Sequence, residues 1–215
     1  MTDRPIIIIG AGGHLKVIID VTRLLGYEIL FATDIDASLH GTTIMGVKIA
    51  GDDDSISAFN PSDVYLANGV GIVNGTGPRR RIFEEWAASG YQFPPLLHPN
   101  AVVADTIIIE EGVQCMAGSI VQPGVRLGKN SIINNRAGID HDVRIGNHTF
   151  IGPGVSIGGN VVIHDDAFIG ANAFISQNIS IGERSIIGAG SIVIRSLDAD
   201  SKAVGNPARL LEKKS

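Results

Sequence analysis

Two stretches of this 215-residue sequence carry residues at spacings that could do chemistry. The first is His141-Asp142. A neutral imidazole near its ordinary pKa of about 6.5 can take a proton from an attacking amine or hydroxyl. A neighbouring carboxylate fixes its tautomer and stabilises the imidazolium that forms. The same pair also suits a solvated turn, because Asp tolerates positive φ. The second stretch is Gly10-Ala11-Gly12-Gly13-His14, directly after the apolar run Pro5-Ile6-Ile7-Ile8-Ile9. Strand, glycine turn and helix in that order can form a cradle whose backbone N–H groups face a phosphate. A bare tight turn of an α/β fold, with His14 structural, fits the spacing too. The dinucleotide fingerprint would need glycine at position 15 and finds Leu15, so NAD is not expected.

The element that must position His141 is a six-residue repeat. From Leu97 to Ile192 the lead positions run Leu97, Val103, Ile109, Cys115, Val121, Leu127, Ile133, Ile139, Ile145, Ile151, Ile157, Ile163, Ile169, Ile175, Ile181 and Ile187. The fifth position holds only small or β-branched residues, so it and the lead position face inward across a short strand. The fourth is Gly, Asn or Asp except at Thr106, Arg136, His148 and Arg184, which predicts a positive-φ turn in every hexad. Three such steps close a triangular coil of 18 residues, a left-handed parallel β-helix with coils about 4.8 Å apart. His141 then sits at a corner and projects from the prism's edge. Gly159 lies one coil above it and Gln177 one coil above that. A glycine there leaves its N–H unshielded, as an oxyanion hole requires. His148 is a turn residue, and His98 and His164 are outward strand positions.

Ahead of the repeat, apolar positions Leu15, Ile18, Ile19, Thr22 and Leu25 predict a helix stopped by Gly26. Further strands are expected at about 28–32, ending at Asp34 and Asp36, and at 64–67, ending at Asn68. A second helix at about 78–89 carries Arg79, Arg80, Arg81 and Trp86. The result is a small parallel α/β domain over residues 1–95, then the β-helix and its tail over 96–215. A net charge of -5 lacks the basic excess that phosphate-backbone binding needs, so no nucleic-acid partner is expected. No apolar run reaches the ~20 residues of a spanning helix, and no signal segment is evident; no membrane insertion and a cytoplasmic location are the expectation. The single cysteine, Cys115, is an inward lead position, which argues against a nucleophile, and no metal cluster is apparent.

Taken whole, the chain resembles one family, the bacterial sugar acetyltransferases that place a small Rossmann-like domain before a hexapeptide β-helix. The residues carrying the resemblance are Gly10 to His14, Asn134 through Asp142 with Ile145-Gly146, and Val204-Gly205-Asn206-Pro207-Ala208. The family includes N-acetyltransferases of UDP-4-amino-4,6-dideoxy-N-acetylglucosamine and relatives acting on sialic acid oxygens. The resemblance implies acetyl-CoA as co-substrate, a nucleotide-linked sugar acceptor and a homotrimer. It implies His141, Asp142 and Gly159 as catalytic residues. Gly159, Gly188, Ala189, Val204, Gly205 and Pro207 would bind the cofactor, and Gly10, Gly12, Gly13, His14, Asp34 and Asn68 the sugar nucleotide. Relatives often carry a second histidine nine residues after the catalytic one; here that position is Phe150. The mechanism expected is direct transfer in a ternary complex. An O-acetyltransferase and a non-catalytic β-helix scaffold are the alternatives. For the trimer contact, the sixth-position column Ile132, Phe150, Phe168 and Ile186 is expected to form an outward apolar stripe.

Overall fold

The computed structural model describes residues 4–72 and 76–211. The chain divides into two compact units, Met1–Pro99 and Asn100–Ser215. In the first, β1 (Ile6–Ile9) is buried on both faces and is followed by α1 (Gly13–Leu24), whose buried positions include Leu15, Ile18, Ile19 and Thr22. β2 (Ile29–Thr33), β3 (Thr43–Ile44), β4 (Val47–Gly51), β5 (Tyr65–Asn68) and α2 (Gly77–Ala88) complete it. The sheet order is β3-β4-β2-β1-β5, with β1 parallel to both β2 and β5. The carboxyl ends of β1, β2 and β5 therefore share one edge, where ligands of open α/β sheets bind.

The β3–β4 hairpin is an element the apolar pattern did not suggest. Its two-residue turn has φ 48 at Met45 and 79 at Gly46. Both central residues are left-handed, as a hairpin turn matched to strand twist demands. Met at the first of them is an uncommon choice, and this hid the turn.

The second unit is a three-faced prism of stacked coils. The first face holds Val102–Val103, Ile120–Val121, Gly138–Ile139, Ser156–Ile157, Phe174–Ile175 and Ile192–Val193. The second holds Ile108–Ile109, Arg126–Leu127, Arg144–Ile145, Val162–Ile163 and Ser180–Ile181. The third holds Gln114–Cys115, Ile132–Ile133, Phe150–Ile151, Phe168–Ile169 and Ile186–Ile187, then Lys202–Val204 and Arg209–Leu210. Coil pairs on with coil in parallel and 18 residues apart, as Leu127↔Ile145↔Ile163↔Ile181 shows. Lead side chains from Cys115 to Ile187 are buried, and so are most fifth positions from Val113 onward.

Every fourth position from Gly112 to Gly190 has positive φ, including Arg136, His148 and Arg184, which the residue type alone marked as exceptions. Coil geometry thus overrides the cost of a non-glycine residue in the left-handed region. Asn100 and Thr106 are not in that region, so the first two turns depart from the expected rule. For Thr106 the reason is steric, since a β-branched residue is the least suited to positive φ.

The inward stack carries the stability of this unit. Ile163 is 1% exposed between Ile145 and Ile181. Ile163→Ala removes buried methyl groups and leaves a cavity that parallel coils cannot close. It is expected to cost about 2–5 kcal/mol, read from the shift of the urea midpoint; a loss below about 1 kcal/mol would mean the coils relax into the space.

Candidate active site

His141 and Asp142 form the turn between the first and second faces, where the strand Gly138–Ile139 ends and Arg144–Ile145 begins. Asp142 adopts φ 60, and its N–H donates to Pro123 O one coil below. The left-handed turn swings both side chains outward, and both are more than half exposed. His141 Nδ1 lies 2.9 Å from Asp142 Oδ2. A carboxylate can only accept, so Nδ1 carries a proton, and in the neutral ring Nε2 is left with its lone pair. The hydrogen bond to Asp142 raises the His141 pKa above its ordinary value, and the nearby Asp140 charge adds to the effect. Asp140 also accepts from the His141 backbone N–H at 2.8 Å.

The imidazole lies against the backbone of Gly159. A Cβ placed on Gly159 would meet His141 Cε1 and Nε2 at 2.7 Å. Only glycine leaves room for the ring in this position. The Gly159 carbonyl accepts from Asn178 N and the His141 carbonyl from Asn160 N, both at 3.0 Å, which holds the corner in its 18-residue column. The Gly159 N–H donates to no group among the described residues. The structure thus brings His141, Asp142 and Gly159 together at one corner.

Beside this corner the first face is hollowed. A cavity of about 570 Å³ is lined by Ile120, Gly138, Asp140, Ser156, Phe174 and Gln177, among others. Gly138 and Ser156 make a low floor between the taller Ile120 and Phe174. Sixth-position alternation alone did not mark this hollow, because it depends on which residues stack 18 apart.

The other edge of the first face, at the corner following Ile186–Ile187, holds the second cluster. A Cβ on Gly188 would meet Val204 Cγ1 at 2.7 Å, and Gly188 N donates to Ala203 O at 2.9 Å. Gly205 N donates to Ser191 Oγ at 3.2 Å, and Gly205 O accepts from Ile192 N at 3.0 Å. Ala189, Val204, Gly205 and Pro207 are exposed there. Gly188 is spoken for by packing, whereas its neighbours face solvent.

In the first unit, Gly12 is the N-cap of α1 with φ -74, and neither it nor Gly13 needs glycine's backbone freedom. A Cβ on either would meet nothing within 4 Å. These glycines leave the helix N-terminus bare. Gly10 differs: its φ is +97, and a Cβ would strike Val70 Cγ2 at 2.6 Å. Asp34 accepts from Ala11 N at 2.6 Å and from Asp36 N at 2.9 Å, so its carboxylate ties the glycine turn to the end of β2. Asn68 is 1% exposed. Its amide donates to Arg79 O at 2.9 Å and accepts from Val70 N at 3.2 Å, which commits the side chain to holding the β5–α2 connection. The Asn68 side chain is thus buried and bonded within the chain at the end of β5. His14 stands beside Gly71, whose Cβ would meet it at 3.3 Å.

Cys115 is 0% exposed, and burial pushes its thiol up to about 12. No group of three or more metal-ligating side chains exists among the described residues, and no helix among them is long and apolar enough to cross a membrane.

Glycine-turn unit, hexapeptide prism and a histidine at the prism's edge together define a two-unit hexapeptide-repeat transferase. Known proteins bear this out. Residues 5–85 match the PglD N-terminal domain, and residues 124–159, 142–177 and 160–195 match the bacterial transferase hexapeptide (six repeats). The acetyltransferase domain of PglB from Neisseria gonorrhoeae FA1090, solved in complex with acetyl coenzyme A, is 31% identical over 98% of this chain and 100% of its own, with a TM-score of 0.91. The H141N mutant of perosamine N-acetyltransferase from Caulobacter crescentus, in complex with CoA and GDP-perosamine, is 30% identical over 99% of both chains, also at 0.91. WeeI from Acinetobacter baumannii AYE is 25% identical over 97% of this chain and 100% of its own, at 0.80. The chain belongs to the hexapeptide-repeat bacterial sugar acetyltransferases.

The His141–Asp142 bond is testable without substrate. Asp142→Asn keeps the turn preference but removes the charge, so the His141 pKa should fall back toward about 6.5. An NMR titration of the imidazole would show it; an unchanged titration would mean that the pair does not form in solution.

Proposed function

We propose that the chain transfers the acetyl group of acetyl-CoA to the amine of a nucleotide-linked sugar of the UDP-4-amino-4,6-dideoxy-N-acetylglucosamine type, in the cytoplasm, for bacterial surface glycan or glycoprotein sugars. The observation that carries this reading is the His141 imidazole, oriented by Asp142 at 2.9 Å with Nε2 against the bare backbone of Gly159. Nε2 accepts the proton of the attacking amine as nitrogen bonds to the thioester carbonyl. The Gly159 N–H stabilises the oxyanion of the tetrahedral intermediate, which collapses with departure of the CoA thiolate. Asp142 offsets the charge on the imidazolium. No acyl-enzyme is required, and the buried Cys115, with its thiol pushed up to about 12, supports direct transfer.

The perosamine N-acetyltransferase, aligned over 99% of both chains, was solved as H141N and H141A mutants with CoA and GDP-perosamine bound, which supports a role for the histidine corner. The same complexes support N-acetylation of a nucleotide-linked sugar over O-acetylation of sialic acid. The exposed residues Ala189, Val204, Gly205 and Pro207, with Gly159 and Gly188, are proposed to line the acetyl-CoA site. Gly10, Gly12, Gly13, His14 and Asp34 are proposed to form the nucleotide end of the acceptor site: Gly12 and Gly13 offer open N–H groups, while Asp34 holds the turn in shape.

A homotrimer is proposed as the working assembly. Phe150 and Phe168 stack at 4.9 Å on the third face, and Ile186 beyond them is 37% exposed. Ile132 is 1% exposed, so the apolar stripe available to a neighbour is shorter than its sequence column.

Thiol release from acetyl-CoA with a panel of nucleotide-linked amino sugars tests the activity. His141→Ala should lower kcat by roughly 10²–10⁴-fold while acetyl-CoA binding holds; a variant keeping more than about a tenth of wild-type kcat would remove His141 from the mechanism. The wild-type kcat/KM profile should rise through a pKa above the ordinary histidine value, since the neutral base appears only above the raised pKa.

Gly12→Val tests the cradle separately. A Cβ at this position lies more than 4 Å from every other group among the described residues, so the fold should survive. Sugar-nucleotide binding by calorimetry should weaken at least about tenfold while acetyl-CoA affinity is kept. Unchanged nucleotide affinity would sink the cradle.

A further inference from the structure

On the second face, Arg126 and Arg144 stand directly opposite each other in adjacent coils, in the register Arg126↔Arg144. Both are exposed. Like charges paired across neighbouring strands cost stability rather than add to it. Neither guanidinium makes a hydrogen bond or ion pair with any group of the described residues. The next side chains up the column, Val162 and Ser180, supply no counter-charge.

The pair borders a depression of about 290 Å³ also lined by Gly128 and Gly146. Its other charged lining groups are Glu110, Asp165 and, when protonated, His164. Asp165 is occupied, since its two oxygens accept from Asn147 N at 2.8 Å and Asn147 Nδ2 at 3.1 Å. Glu110 pairs with neither arginine. Two guanidinium forks that pair with no acid of this lining stand side by side at its rim. Arg144 also lies three residues beyond His141, on the strand that leaves the same corner.

We propose that Arg126 and Arg144 form an anion clamp for a phosphate or diphosphate group carried by one of the two substrates. The inference rests on the transferase reading above and extends it with a binding role on the second face. Stacked at strand spacing, about 4.8 Å, the two planar forks can grip one phosphate together or take adjacent phosphates of a diphosphate. Both substrates carry such a group: acetyl-CoA in its nucleotide portion, the acceptor in its sugar–nucleotide linkage.

Calorimetric titration of wild type and of Arg126→Gln/Arg144→Gln with CoA, UDP and GDP distinguishes the sources. Both positions are exposed, so the double variant should fold, with circular dichroism and the urea midpoint matching wild type. The expected result is a loss of at least about tenfold for one ligand class, with the other held within about twofold. Selective loss of CoA assigns the clamp to the acetyl donor; selective loss of UDP or GDP assigns it to the acceptor. The affected affinity should also depend less steeply on salt in the variant. A folded double variant that binds every ligand as wild type does overturns the clamp alone, whatever happens to its assembly, and an equal loss for all ligands overturns it too. Wild type that binds none of them overturns the transferase reading and the clamp with it.

Discussion

Parallel, in-register stacking of one coil on the next is the constraint on which the catalytic unit depends. Alternate backbone N–H groups along a short strand donate to the next coil, as Gly138 N to Val155 O at 2.8 Å and Asp140 N to Ile157 O at 3.0 Å do. Because the ladder bonds run from coil to coil on all three faces, register cannot slip without breaking them together. The inward isoleucines are then obliged to pile on one another, and the turns are obliged to fall in columns. Arg136 and His148 accept positive φ for that reason.

Columns turn distant sequence positions into neighbours, and the site uses this. His141 and Gly159 are 18 residues apart yet share van der Waals contact, with no room for even a methyl group between ring and backbone. A corner is the one part of a coil where a side chain leaves the prism without disturbing the ladder. The imidazole can therefore be exposed for chemistry while its own turn stays fixed by Asp142 N and Asn160 N bonding to adjacent coils. Rigid backbone below and a short carboxylate beside it orient the ring at little entropic cost.

The first unit solves a different problem by an older device of α/β folds. Its sheet brings the ends of β1, β2 and β5 to one edge. Gly10 and Gly69 let the strands' exits approach, since a Cβ on Gly69 would meet Ile8 Cγ2 at 2.8 Å and Gly10 O at 2.9 Å. Gly12 and Gly13 serve no such packing purpose, and Asp34 spends its charge on the turn rather than on solvent. The result is a helix N-terminus kept open and held in position.

Periodicity made the prism legible from sequence, because a six-residue pattern has so few ways to close. The pair His141-Asp142 was legible with it, since a turn at the fourth position and an outward third position follow from the period alone. The glycine turn after β1 was equally plain. Tertiary structure decided what period and residue type leave free. It turned Asn68 inward to hold Arg79 O and Val70 N, and it made Asp34 a tie for the glycine turn. Local pattern could not report this, because both side chains bond to atoms brought near by strand order. It placed a hairpin at Met45-Gly46 that no turn signal announced. The 18-residue period already puts Arg126 and Arg144 in one column; what only the folded coils decided is that neither guanidinium meets an acid there, because side-chain pairing depends on rotamers and neighbours that no period specifies.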